Sequence, residues 1–311
     1  MENRTWAICC YFNPLGYRRR LENYRTFRRH LSVPLLTIEH GWRSSFDLHE
    51  DDADRLIQVG GGDLLWQKER LLNIGIGALP RTCRNVAWLD CDIVFEDDEW
   101  PGQVDALLER CRVVQLFSRC RHLQRDSAIT PSSEQSVVRE VAGFTAKKAR
   151  GEIPHETFRV QGESQRLAYS PGLAWAARRD LLQDCGFYDG LVMGGGDKAM
   201  AAAAYGYIDE TAAAYKMTAP HARHYRAWAE PFFDRIRGKV GWLDGSILHL
   251  WHGDLQKRRY PGRYNGFDAF EFDPYTDVAL HSDGSWRWSS SKPEMHEFIA
   301  RYLASRNEDG E

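Results

Sequence analysis

Apolar residues in this chain follow two rhythms. Short apolar runs occupy residues 5–12 (Thr-Trp-Ala-Ile-Cys-Cys-Tyr-Phe) and 85–90, and strand-like stretches occupy Leu35–Glu39 and Arg55–Val59, each closed by polar, glycine or proline residues. Runs of this length without strict alternation read as strands buried on both faces, the habit of parallel sheets. Between them, Leu21, Tyr24, Phe27, Arg28 and Leu31 fall at helical spacing within 17–31, after the turn Asn13-Pro14-Leu15-Gly16. Leu64–Leu79 keeps a 3.6-residue period and stops at Pro80. Strand–helix–strand–strand–helix–strand predicts a three-layer α/β domain, a mostly parallel central sheet flanked by helices.

Further along, the pattern predicts a short helix over 104–110, a strand over 112–117, a strand over 172–177 and a helix over 178–184. An alanine-rich helix follows over 197–205, opened by Met193-Gly194-Gly195-Gly196, and a strand over 246–250 runs into Trp251-His252-Gly253. Residues 119–170 are polar and poorly periodic apart from a helix around 134–150, and a segment of that kind reads as a substrate-shaping loop or lid. The last fifty residues, rich in aromatics, Gly, Pro and Asp, read as a wrap over the core. The expected organisation is one domain over 1–311: a nucleotide-binding half (1–118), an acceptor- and metal-completing half (119–270) and a C-terminal wrap (271–311).

Composition narrows the class. With 43% hydrophobic and 27% charged residues the chain is neither disordered nor collagen-like. A net charge of −3 argues against a generally basic nucleic-acid binder, while leaving room for a local basic groove. No apolar stretch reaches the length of a membrane span, and the N-terminus lacks the pattern of a signal peptide. The seven cysteines (9, 10, 83, 91, 111, 120 and 185) show no Cys-x-x-Cys pairing, so free thiols in a reducing compartment, the cytoplasm, are expected.

Four places carry chemistry. The strand at 85–90 ends in Asp90-Cys91-Asp92, and ligands of open α/β sheets bind beyond such strand ends. Two carboxylates there suit a divalent cation that holds a diphosphate, although a capped strand end or an Asx turn reads equally well. The Asn13–Arg20 turn, with Arg18 in it, suits phosphate through helix N-terminal N–H groups and guanidiniums, against the plainer reading of a solvated arginine face. Asp197, after three glycines, is a candidate general base or simply a helix cap. His249 and His252, at i and i+3, share a metal only if the strand ends near residue 250 and the chain turns; His249 also fits a core histidine. Lys257, Arg258, Arg259 and Arg263 then suit a leaving diphosphate, or form a solvated basic loop.

In order, these pieces resemble metal-dependent glycosyltransferases of the GT-A fold (nucleotide-diphospho-sugar transferases), in particular the β-1,4-galactosyltransferase-like group. The segment Trp66-Gln67-Lys68-Glu69-Arg70-Leu71-Leu72-Asn73-Ile74-Gly75, followed by Trp88-Leu89-Asp90-Cys91-Asp92, is similar to that family's helix and Asp-x-Asp strand. The resemblance implies that Asp92 ligates Mn²⁺ or Mg²⁺, that Asp90 faces the nucleotide sugar, and that Lys68, standing for the usual Arg, meets the diphosphate. Met193-Gly194-Gly195-Gly196-Asp197 approximates the family's Trp-Gly-Gly-Glu-Asp, which puts the base at Asp197, with Met193 in place of Trp and Gly196 in place of Glu. His249-x-x-His252 stands for the family's Met-x-x-His, with His252 the direct carry-over and His249 an added ligand. The Asn13–Arg20 turn matches its nucleotide loop in position. The implied reaction moves a sugar from a nucleoside-diphosphate sugar, expected to be a UDP-sugar, to an acceptor hydroxyl with inversion. The acceptor, whether glycan, lipid, protein or modified nucleic acid, stays open. The rival readings are a metal-dependent hydrolase, a nucleotidyltransferase and a non-catalytic carbohydrate-binding module.

Overall fold

A computed structural model of the chain describes residues 4–42, 45–127, 129, 136–153, 169–253 and 263–310. Its first elements are β1 (Thr5–Phe12), α1 (Arg18–Arg29), β2 (Leu35–His40), β3 (Arg55–Val59), α2 (Lys68–Ala78) and β4 (Asn85–Leu89). They fall on the apolar runs and periodic stretches of the sequence. Next come β5 (Ile93–Phe95), α3 (Trp100–Leu107), β6 (Val113–Gln115), β7 (Arg119–Leu123), β8 (Val137–Ala142), α4 (Phe144–Ala149), β9 (Ala174–Arg178), α5 (Arg179–Cys185) and α6 (Gly196–Ala204). The chain continues with α7 (Ile208–Ala214), α8 (Ala219–Ile236), β10 (Val240–Trp242), β11 (Ser246–His249), β12 (Val278–Leu280), β13 (Trp286–Trp288) and α9 (Pro293–Ala304).

The architecture is mixed α/β, with a large, mostly parallel sheet flanked by helices. Strand order is β10-β6-β9-β4-β1-β2-β3, and only β9 runs against its neighbours. Adjacent side chains on one strand serve opposite layers. On β1, Ile8 packs with Leu71, Leu72 and Ile76 of α2, while Ala7, Cys9 and Tyr11 pack with Tyr24 and Phe27 of α1. On β4, Val86 and Trp88 face the α2 side and Ala87 and Leu89 the α1 side. This double burial explains why the strands read as continuous apolar runs rather than alternating ones.

Two strands of a second sheet, β5-β11-β7-β8, fall in the stretch 119–170 expected to be a polar loop: β7 and β8, while residues 128, 130–135 and 154–168 of that stretch lie outside the described residues. Only Cys120, Leu123 and Val141 of β7 and β8 are buried, so the apolar signal of these strands is thin. The helix expected at 134–150 shrinks to α4, because 137–142 pairs with 119–123 instead. The helix expected to start at Leu64 starts at Lys68, since the backbone before it bonds elsewhere: Trp66 N donates to Val192 O at 2.9 Å. The C-terminal stretch packs on the core through Val278, Met295, Ile299 and Leu303.

Candidate active site

The turn that joins β4 to β5 sets the geometry. Asp90 N donates to Leu173 O (2.7 Å), one rung past the Leu89–Ala174 pair, so the β4–β9 ladder carries the chain up to the first acid before it turns. β5 then returns antiparallel to β11, pairing Ile93 with His249, and Leu250 N donates to Asp92 O at 2.8 Å. β11 ends at His249, and the chain turns through Gly253, which takes φ +89°. A Cβ at Gly253 would lie 2.6 Å from Asn307 O, so only glycine fits both the conformation and the space. The turn brings His252 back beside His249, which an extended strand would not do.

Asp92, His249 and His252 each offer a ligand atom, and these atoms lie within 4.8 Å of one another. His252 Nε2 is 3.0 Å from His249 Nε2 and 3.1 Å from Asp92 Oδ2, and His249 Nε2 is 3.6 Å from Asp92 Oδ1. Ligands about 2.0–2.2 Å from one ion sit about 2.9–3.5 Å apart at octahedral to tetrahedral angles, so the set fits a single cation. Two imidazoles and a carboxylate suit Mn²⁺ or Zn²⁺ better than an all-oxygen cation such as Ca²⁺. The sequence reading overlooked His122 on β7, directly across from His249. Its Nδ1 is 2.9 Å from His249 Nδ1, and a bond there fixes the His249 tautomer and aims Nε2 at the cluster.

A second group surrounds the Lys68 ammonium. Its Nζ lies 2.5 Å from Asp90 Oδ1 and 3.0 and 2.8 Å from the two oxygens of Asp197. Lys68 thus bridges the two acids that the sequence singled out. Burial works against its charge, but the carboxylates of Asp197, Asp90 and Glu69 outweigh burial and hold its pKa well above the usual lysine value. Asp197 moves up from the ordinary aspartate value, because burial and the nearby Asp90 charge overcome the pull of Lys68. That direction suits a group that must take up a proton.

Asp197 lies in the first turn of α6, after Gly194 (φ +86°) and Gly195 (φ +106°). The carbonyls of this turn are held from outside: Arg263 Nη1 donates to Met193 O, Tyr264 Oη to Gly194 O and Tyr215 Oη to Gly195 O, at 3.2, 3.0 and 2.9 Å. A Cβ at Gly172 would sit 2.9 Å from Asp197 Oδ2. The next residue, Leu173, holds φ +77°, a conformation that L side chains rarely adopt, while its carbonyl accepts the last β4–β9 bond, from Asp90 N.

The Asn13–Arg20 turn departs from the cradle expected of it. Asn13 Nδ2 donates to Asp47 (2.8 Å) and Tyr17 O, and its Oδ1 accepts from Tyr17 N, so this side chain shapes the loop itself. Arg18 is 77% exposed and pairs with Glu22 one helical turn on. The α1 backbone N–H groups of Arg18 and Arg19 donate to Asp309, and Arg20 makes a two-pronged bond to Glu308 at 2.8 and 2.6 Å. Acids some 290 residues downstream therefore hold the donors proposed for a phosphate, a pairing that local sequence cannot reveal. Lys257, with Arg258 and Arg259, lies outside the described residues.

No family model and no curated protein matches the chain. Among solved structures it is similar to S. aureus TarS 1-349, with 11% identity, 97% of this chain and 71% of that chain covered, and a TM-score of 0.39. A longer S. aureus TarS structure gives 12% identity and a TM-score of 0.35, and this chain covers only 33% of it. The mannosyltransferase PcManGT from Pyrobaculum calidifontis, in complex with GDP-Man and Mn²⁺, gives 12% identity, 97% and 74% coverage and a TM-score of 0.40. Likenesses at this level leave the chemistry to be read from the chain's own residues. Among the described residues, no helix is long and apolar enough to cross a membrane.

Proposed function

We propose that the chain is a metal-dependent glycosyltransferase of the GT-A type. It would move a sugar from a nucleoside-diphosphate sugar to an acceptor hydroxyl, with inversion, and UDP-sugars are the first donors to test. One observation carries the reading: a three-ligand cation set (Asp92, His249, His252) and a lysine-bridged acid pair (Asp90, Asp197) meet at the one turn, Asp90-Cys91-Asp92, between β4 and β5. The topology supports it. From β1 the chain builds outward through β2 and β3, then returns to place β4 on the other side of β1. The crevice beyond the ends of β1 and β4 is the switch point at which open α/β sheets bind ligands.

Mn²⁺ held by Asp92, His252 and His249 would supply positive charge to the diphosphate as it leaves. Asp197 takes the proton of the acceptor hydroxyl. The acceptor oxygen forms its bond to the anomeric carbon as the bond from that carbon to the diphosphate oxygen breaks, and the electron pair departs with the diphosphate. Lys68 stabilises Asp197 as the carboxylate before the step. Asp90 keeps Lys68 paired once Asp197 has accepted the proton, so no buried charge is stranded. A single in-line displacement of this kind inverts the anomeric centre.

The test is product analysis with Mn²⁺, a panel of UDP-sugars and glycan, lipid, peptide and nucleoside acceptors. The proposal predicts acceptor-dependent release of nucleoside diphosphate together with a glycosylated adduct. Pyrophosphate as the product would favour nucleotidyl transfer, and free sugar without any adduct would favour hydrolysis.

A further inference from the structure

The glycine turn before Asp197 has no side chains of its own, and the start of α2 supplies them. Trp66 and Glu69 are joined by a hydrogen bond from Trp66 Nε1 to Glu69 Oε2 at 3.0 Å. A Cβ built on Gly194 would lie 2.7 Å from Arg263 Nη1 and 3.0 Å from the Trp66 ring, and one on Gly196 would lie 2.2 Å from Glu69 Oε1 and 2.4 Å from its Cδ. Gly196 carries no positive φ, so its glycine answers to space rather than to conformation. Glu69 is 6% exposed, and the Arg306 guanidinium lies 5.1 Å from the centroid of the half-buried Trp66 ring. Met193 and Gly196 are also the positions at which this segment lacks the Trp and Glu of the family it resembles.

We infer that Trp66, just before α2, and Glu69, in its first turn, clamp the Gly194–Gly196 turn, and that Glu69 is a positioning residue for Asp197. The second half of this inference rests on the reading of Asp197 as the base. Through the clamp, the first turn of α6 is held so that Asp197 presents both oxygens to Lys68, which follows Trp66 by two residues and precedes Glu69 by one.

Two measurements test this. The steric half is read by thermal unfolding of Gly196→Ala, Glu69→Ala and the double variant. Gly196→Ala alone should lower Tm by about 2–6 °C, the scale of an overpacked core position. In the Glu69→Ala background the same change should be neutral or raise Tm, because alanine is the better helix former once the carboxyl is gone. Additive effects of the two substitutions overturn the clamp. The positioning half is read by kinetics on variants whose circular dichroism matches the parent. Glu69→Ala should lower kcat by about tenfold or more at unchanged donor KM, and the isosteric Glu69→Gln should restore kcat to within about threefold of the parent. Unchanged kcat in Glu69→Ala, or an effect confined to donor KM, overturns the positioning role. If the parent protein transfers no sugar, the proposed function fails by itself, and the clamp still stands or falls on the unfolding cycle.

Discussion

Replacing Glu69 by Gln should change how the stability of this protein responds to pH, and the size of the change follows from the site. Burial raises the Glu69 carboxyl from 4.5 to about 8 despite the adjacent Lys68 charge, with Asp197 pushing the same way. Lys68, Asp197, Cys10 and Tyr215 are the titratable groups that feel it. Between those two values Glu69 holds a proton in the folded protein that it has released in the unfolded chain, so its contribution to stability falls as pH rises through the window and levels off above about 8. One proton corresponds to about 1.4 kcal/mol per pH unit, which gives a ceiling near 5 kcal/mol over the whole window. That is a large share of the 5–15 kcal/mol typical of a folded domain. Glu69→Gln keeps the shape and the acceptor for Trp66 but removes the proton. Relative to the parent it should therefore gain about 1 kcal/mol or more for each unit from pH 5 to pH 8. Urea unfolding followed by tryptophan fluorescence at unit pH steps measures the difference. A parent–variant difference that stays flat across the window would refute the reasoning.

Three further outcomes follow from the same geometry. Asp197→Asn should lower transfer by about 10²–10⁴-fold while donor binding by calorimetry persists, and near-full activity would remove Asp197 from the base role. In the parent, transfer should decline on the acid side with a midpoint above the ordinary aspartate value of 3.8, since the base must be ionised to act. His122→Ala should weaken Mn²⁺ affinity by about 10–100-fold without touching a ligand, as loss of a partner that orients a metal-binding imidazole does. Equal affinity in parent and variant, measured by calorimetry on the protein with metal alone, would show that His249 orients itself.

Much of the central sheet can be read directly from residues, because strands buried on both faces leave unbroken apolar runs such as Trp6–Phe12 and Asn85–Leu89. What escaped had weaker local signals or distant causes. α8 carries a buried stripe at His221, Tyr225, Ala229, Phe232 and Ile236, a clear helical spacing. Histidine in the stripe and Pro231 inside the helix disguise it. β7 is half polar, so His122 was hidden in a supposed loop until strand pairing set it opposite His249. The candidate site divides in the same way. Asp90, Asp92, Asp197, His249 and His252 stand out because carboxylates and imidazoles beside strand ends and glycines are chemically conspicuous. The engagement of Arg20 by Glu308, or of the α1 N-terminus by Asp309, depends on contacts across almost the entire chain. The space at Gly196 that Glu69 fills is set by packing between α2 and α6, which no linear motif records.

The central claim is that Asp92, His249 and His252 bind a cation that in turn binds a nucleotide diphosphate. Thermal unfolding with a panel of sugar nucleotides, with Mn²⁺ or with EDTA, on the parent and Asp92→Ala proteins tests it most directly, because a ligand bound only by the folded state raises Tm in step with its affinity. The account predicts that a donor raises Tm in the parent only when Mn²⁺ is present, and that Asp92→Ala loses this joint shift while unfolding cooperatively. An equal donor shift in EDTA, or one that survives in Asp92→Ala, would contradict it.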